Sequence, residues 1–144
     1  MYSHKFKKSA LRYEVALNIQ TGDICNIEGP YPPGIYNDQL IFEDALELAL
    51  EAGECVETDR GYRGAFSRGT VQCPPYEVPE RRGMTATVRN RHETCNKRFK
   101  HFNILKAPYR HDLFDHQAVF GAVACLTQFS FENGDPLFPV HYQD

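Results

Sequence analysis

The chain has 144 residues, 42% hydrophobic, 12% aromatic and 24% charged, with a formal net charge of -3. That suffices for one core of ordinary size and excludes two independent domains. No window reaches the roughly 18 uninterrupted apolar residues of a membrane helix, and the basic start MYSHKFKKSALRYEV has no apolar centre, so the chain reads as soluble and intracellular.

LRYEVALNI alternates strictly, placing Leu11, Tyr13, Val15, Leu17 and Ile19 on one face, which predicts a strand with one polar face. QTGD is a turn, and ICNIEG returns as the second strand of an antiparallel hairpin. GPYPPG is expected as loop because its prolines fit neither a sheet interior nor a helix interior. Asn37 or Asp38 then caps a helix whose Leu40, Ile41, Ala45, Leu48 and Ala49 keep to one side, ending before Gly53. ECVET follows as a short strand, as in a crossover unit, so Asp59 stands where a strand finishes, the place where open α/β sheets build sites.

Residues 64–82 read as an irregular, proline-containing loop. A long helix is expected from about Thr85, with Val88, His92, Cys95, Phe99 and Phe102 on one stripe and Glu93 on its flank between Arg89 and Lys97. A last helix from about Asp112 carries AVFGAVACL, apolar almost all round and expected to be buried. The five cysteines are odd in number and form no C-x-x-C pair, which predicts reduced, mostly structural thiols.

Charge is segregated. Eight Lys or Arg and a single acid, Glu93, fall within 81–106, whereas seven acids and no base fall within 43–59. A polyanion responds to such local fields more than to the net sum. RHETCN lacks the second histidine of a zinc-protease helix, since position 96 is Asn96. His111 with Asp115, or His116 with Asp112, fits solvated helix-start residues better than a metal site. Asp38 reads as a first-turn acid that complements a helix dipole. Asp59 and Glu93 each have a similarly plain reading alone, as a turn residue and a surface acid. Their joint setting points further: Asp59 ends a strand ahead of a Gly-rich arginine loop, and Glu93 is the lone acid of a basic helix. Carboxylates from different elements that hold divalent cations are the equipment of metal-assisted phosphodiester cleavage.

Longer stretches carry a resemblance. HKFKKSALRYEVALNIQTGDICNIEGPYPPGIYND resembles the core of DDE superfamily endonucleases, the Harbinger-type transposases and their domesticated relatives. TDRGYRG is similar to that family's D-x-G-Y-R-G, RNRHETCNKRFKHFNILK to its R-x-x-x-E helix, and GDPLF to its usual ending. The resemblance covers nearly the whole chain in order. It implies a ribonuclease H-like mixed sheet with flanking helices over residues 1–144, a two-metal mechanism using Mg²⁺ or Mn²⁺, DNA as partner and a nuclear location. Asp59 and Glu93 become catalytic metal ligands, with Arg60, Arg63, Arg89, Lys97, Arg98 and Lys100 as DNA contacts. His92 departs from the family, which has a small apolar residue there. The family's first acid lies on a central strand before the hairpin, and nothing upstream of Glu14 is a candidate for it. The expectation is therefore a partial domain, inactive by itself. The rival expectations are a non-catalytic DNA-binding or interaction module that keeps the basic helix, and an α/β domain with no nucleic-acid role.

Overall fold

The structure, a computed structural model, describes residues 11–59, 62, 69–72 and 79–141. In chain order the elements are β1 (Arg12–Leu17), β2 (Ile24–Tyr31), α1 (Asp38–Asp44), α2 (Leu46–Ala49), β3 (Val56–Glu57), β4 (Val71–Gln72), α3 (Pro79–Phe99), α4 (Asn103–Lys106), a 3₁₀ turn (Leu113–Asp115) and α5 (His116–Glu132). The content is mixed α/β, as expected. Among the described residues the strands form two separate two-stranded sheets, β1–β2 and β3–β4, and no helix is long and apolar enough to cross a membrane. The chain divides into two compact units, Met1–Val15 with Asn26–Arg82 and Ala16–Cys25 with Gly83–Asp144.

In the first unit the prolines do not end the hairpin where expected, because β2 runs through Pro30 to Tyr31. A two-stranded sheet has only edges, and an edge strand tolerates a residue without an N–H. Gly29 is required beside it: its φ is +130°, and a Cβ there would stand 2.8 Å from both the Arg12 carbonyl oxygen and Tyr13 Cδ1. β1 is half-buried along its whole length, so its polar face is not a solvent face.

Asn37 caps α1, its side chain accepting a hydrogen bond from Leu40 N at 2.8 Å. The expected single helix breaks at Ala45, whose φ of -133° and ψ of -79° shift the helical phase. Ile41, Phe42 and Leu46 are buried as a result, whereas Leu48, expected in the core, is 79% exposed. β3 pairs in parallel with β4, Val56 opposite Val71 and Glu57 opposite Gln72. β4 falls inside the stretch expected to be irregular, where two residues carry too little pattern to be seen.

α3 begins at Pro79, earlier than Thr85, and belongs to the second unit from Gly83 onward. Proline is well suited to the first helical position, where its missing N–H has no partner to lose. Arg91, Cys95 and Phe99 recur every four residues and are buried, and Thr85 is fully buried as well. The Phe99 ring meets Phe120 of α5 at 5.3 Å between centroids. α5 is not buried all round. Val123, Ala124, Thr127 and Phe131 face inward, while Leu126 and Phe129 are 55% and 63% exposed. A uniformly apolar helix does not specify which side is covered, and here one side is.

The hairpin turn is clamped by these two helices. Arg91, 2% exposed, donates through Nη2 to the carbonyl oxygens of Asn18, at 3.0 Å, and of Ile19. Gln128 of α5 accepts from Ile24 N at 2.9 Å and donates to Asp23 Oδ1 at 2.8 Å. Burial lowers the Arg91 pKa, and the neighbouring Asp23 charge acts against that shift. Replacing Arg91 with Leu removes a charged donor to both carbonyls and is expected to destabilise the chain by about 2 kcal/mol. The measurement is a lower urea midpoint at unchanged slope.

Candidate functional site

Asp59 leaves the carboxyl end of β3, as expected. Thr58 N donates to the Gln72 carbonyl at 2.9 Å, so pairing to β4 continues to the residue before it. Thr58 is buried and Asp59 is exposed. The next described residue, Tyr62, donates its N–H back to the Asp59 carbonyl at 3.5 Å. Arg60 and Arg63 lie outside the described residues.

Tyr62 is held from two further sides. Its ring meets Phe42 of α1 edge-on, with centroids 5.9 Å apart and planes at 80°, and its hydroxyl donates to Glu14 Oε1 of β1 at 2.9 Å. The second Glu14 oxygen, Oε2, is buried with no hydrogen-bond partner among the described residues. Desolvation raises the Glu14 pKa to about 6, outweighing the bond from Tyr62, while Asp38 and Glu28 push in the same direction as burial. Burial also pushes the Tyr62 phenol up. Asp38 sits in the first turn of α1, as expected, and pairs with Arg12 Nη1 at 3.1 Å.

Glu93 lies on α3, in the second unit. It is exposed, and so are Arg89, Lys97 and, just past the helix end, Lys100. Spacings of four, four and three put these residues on one side of the helix. Arg98, expected to meet DNA, lies off that row and is bound in a two-point ion pair with Asp135, Nη2 donating to Oδ1 at 2.8 Å and Nη1 to Oδ2. Asn96 Nδ2 and His92 Nδ1 are 3.3 Å apart, so the helix offers no imidazole pair there.

The histidines near α5 have structural partners. Asp112 accepts from Phe114 N at 3.0 Å as a cap. His116 is buried, with its pKa lowered by desolvation, and Tyr109 stands between the His111 and His116 rings at 5.4 and 4.6 Å. Among the described residues no group of three or more His, Cys, Asp or Glu could hold a metal ion. Of the described cysteines only Cys95 is buried, its thiol pushed up to about 11 by desolvation. Cys25, Cys55 and Cys125 are exposed and outside any disulfide, which corrects the expectation of mostly structural thiols: scattered cysteines carry no periodicity that reports their side.

Two recesses of the second unit measure about 200 and 320 Å³. They stand below or at the lower end of the roughly 300–1,000 Å³ of small-molecule sites. No protein-family model, curated protein or solved structure matches the chain.

Glu14, Tyr62, Arg91 and Gln128 are the interacting residues that sequence reasoning missed. Only Tyr62 gave a signal, through its place in the Gly-Tyr-Arg-Gly stretch. The raised Glu14 pKa has a definite sign for stability. Its carboxylate form costs folding energy that is absent below pH 4.5 and fully present above about 6. Glu14→Gln is therefore expected to match the wild type below that window and to gain stability over it as pH rises through the window. Urea midpoints on both sides of the window check this.

Proposed function

We propose that this chain is a portion of a ribonuclease H-like DDE endonuclease domain of the Harbinger transposase type, with Asp59 and Glu93 as ligands of Mg²⁺ or Mn²⁺ and DNA as its partner. The observation that carries this reading is the exposed row on α3, where Glu93 is the only acid among Arg89, Lys97 and Lys100. Asp59, exposed at the carboxyl end of a parallel strand, adds to it. Oxygen donors suit hard cations, and Mg²⁺ is commonly held by one or two carboxylates together with substrate phosphates. When bound, such an ion supplies Lewis-acid polarisation of the phosphodiester and lowers the pKa of a bound water. The cationic row would dock phosphates without reading sequence. A nuclear location belongs to this proposal.

The chain carries two of the three acids such a site uses, so by itself it is proposed to bind DNA without cutting it. The exposed cations Arg89, Lys97 and Lys100 also suit a second reading, a non-catalytic DNA-binding module derived from a transposase.

Two experiments address these readings. The purified chain is expected to show no Mg²⁺-dependent nicking of plasmid DNA. Robust cleavage that disappears in Asp59→Ala would overturn the inactivity and establish the site. Binding to duplex DNA of arbitrary sequence is expected to weaken with salt, and Lys97→Ala with Lys100→Ala to flatten the log–log salt dependence by about 2. An unchanged slope sinks the assigned interface, and no binding at low salt sinks DNA as partner. Arg98→Ala is expected to act mainly on stability, read as a lower midpoint.

A further inference from the structure

Tyr62 is attached at three points to three different elements of the first unit. Its N–H reaches the Asp59 carbonyl at 3.5 Å, its ring rests edge-on against Phe42 of α1, which is fully buried, and its hydroxyl is bound by Glu14 of β1 at 2.9 Å. The last contact joins residues 48 apart in sequence. A tyrosine serving only as core filling can satisfy its hydroxyl with water or a backbone carbonyl. This one is matched to a carboxyl whose other oxygen is buried without a partner among the described residues.

That arrangement is costly for Glu14. Asp38 of α1 and Glu28 of β2 place further negative charge around it, and Arg12 is engaged with Asp38 and with the Tyr36 carbonyl at 2.9 Å. An apolar residue at position 14 would avoid the cost. What the side-chain oxygen provides is a directional acceptor for one hydroxyl. That hydroxyl belongs to the residue whose N–H reaches the Asp59 carbonyl.

We propose that Tyr62 and Glu14 are positioning residues for Asp59, a Glu14 carboxyl oxygen fixing the Tyr62 hydroxyl and the Tyr62 N–H in turn holding the Asp59 carbonyl. This rests on the reading of Asp59 as a ligand of a divalent cation. Neither residue touches the ion. Glu14 acts through Tyr62, and Tyr62 acts through its N–H bond to the Asp59 carbonyl.

The test uses the full chain with Tyr62→Phe, Glu14→Ala and Glu14→Gln, and three readouts: amide hydrogen exchange at Asp59 and Tyr62, Mn²⁺ affinity by paramagnetic resonance of the free ion, and Tm. Loss of the one bond in Tyr62→Phe or Glu14→Ala is expected to speed exchange at these two amides by about tenfold and to weaken Mn²⁺ binding by a similar factor. Exchange in the β1–β2 hairpin is expected to stay unchanged. Glu14→Gln keeps an acceptor for the hydroxyl and is expected to behave as wild type in both readouts. Unchanged exchange in Tyr62→Phe, or failure of Gln to restore it, overturns the positioning role. Mn²⁺ affinity indifferent to Tyr62→Phe overturns that role and leaves the metal reading standing. A wild-type chain that binds no Mn²⁺, yet shows the exchange pattern, overturns the metal reading and leaves the clasp in place.

Discussion

The Arg91 guanidinium, buried against the carbonyl oxygens of Asn18 and Ile19, sets the phase of α3. With Arg91 turned inward, Cys95 and Phe99 follow at four-residue intervals into the core. Arg89, Glu93, Lys97 and Lys100 are then turned outward by the same periodicity. A rotation of the helix by one residue position, about 100°, would scatter that row. The interaction that fixes the second unit thus also decides which charges meet solvent. Gln128 completes the arrangement from α5, with one amide serving both Asp23 and Ile24 N.

Much of the fold was legible where local chemistry is strong. The alternation of β1, the Asn37 cap and the strand ahead of Asp59 were all readable because each depends on a few adjacent residues. The failures have a common cause. The break at Ala45 and the two-residue strand β4 depend on tertiary contacts, and no local pattern announces them. The apolar length of α5 showed that it contributes to a core, but a helix without a polar face leaves the direction undetermined. Pro30 followed the opposite course: a sound rule about sheet interiors does not apply where every strand is an edge.

The candidate site was legible as residue types and positions, and its support was not. Asp59 and Glu93 stood out through their settings in the sequence, and both are exposed. Glu14 looked like one of the solvated residues on the polar face of β1. Tyr62 binds it from 48 residues away, a contact that spans a third of the chain. Arg91 was counted among the cations of a basic helix, although its guanidinium serves the hairpin turn. Arg98 was counted likewise and is held by Asp135. Charge counting along a helix registers sign and spacing, whereas the phase of the helix decides which charges a polyanion meets.

The Arg91 clamp engages main-chain oxygens alone, and that shapes how the turn tolerates mutational drift. The exposed Gln20 side chain can change while the Asn18 and Ile19 carbonyls stay in place. Asn18 is more restricted because its side-chain oxygen also accepts from Gln20 N and Thr21 N, at 2.9 and 3.0 Å. Gly22 is restricted for another reason: its φ is +86°, and a Cβ there would meet the guanidinium at 3.5 Å. Within one short turn, constraint follows the backbone that the arginine grips and bypasses side chains that point elsewhere.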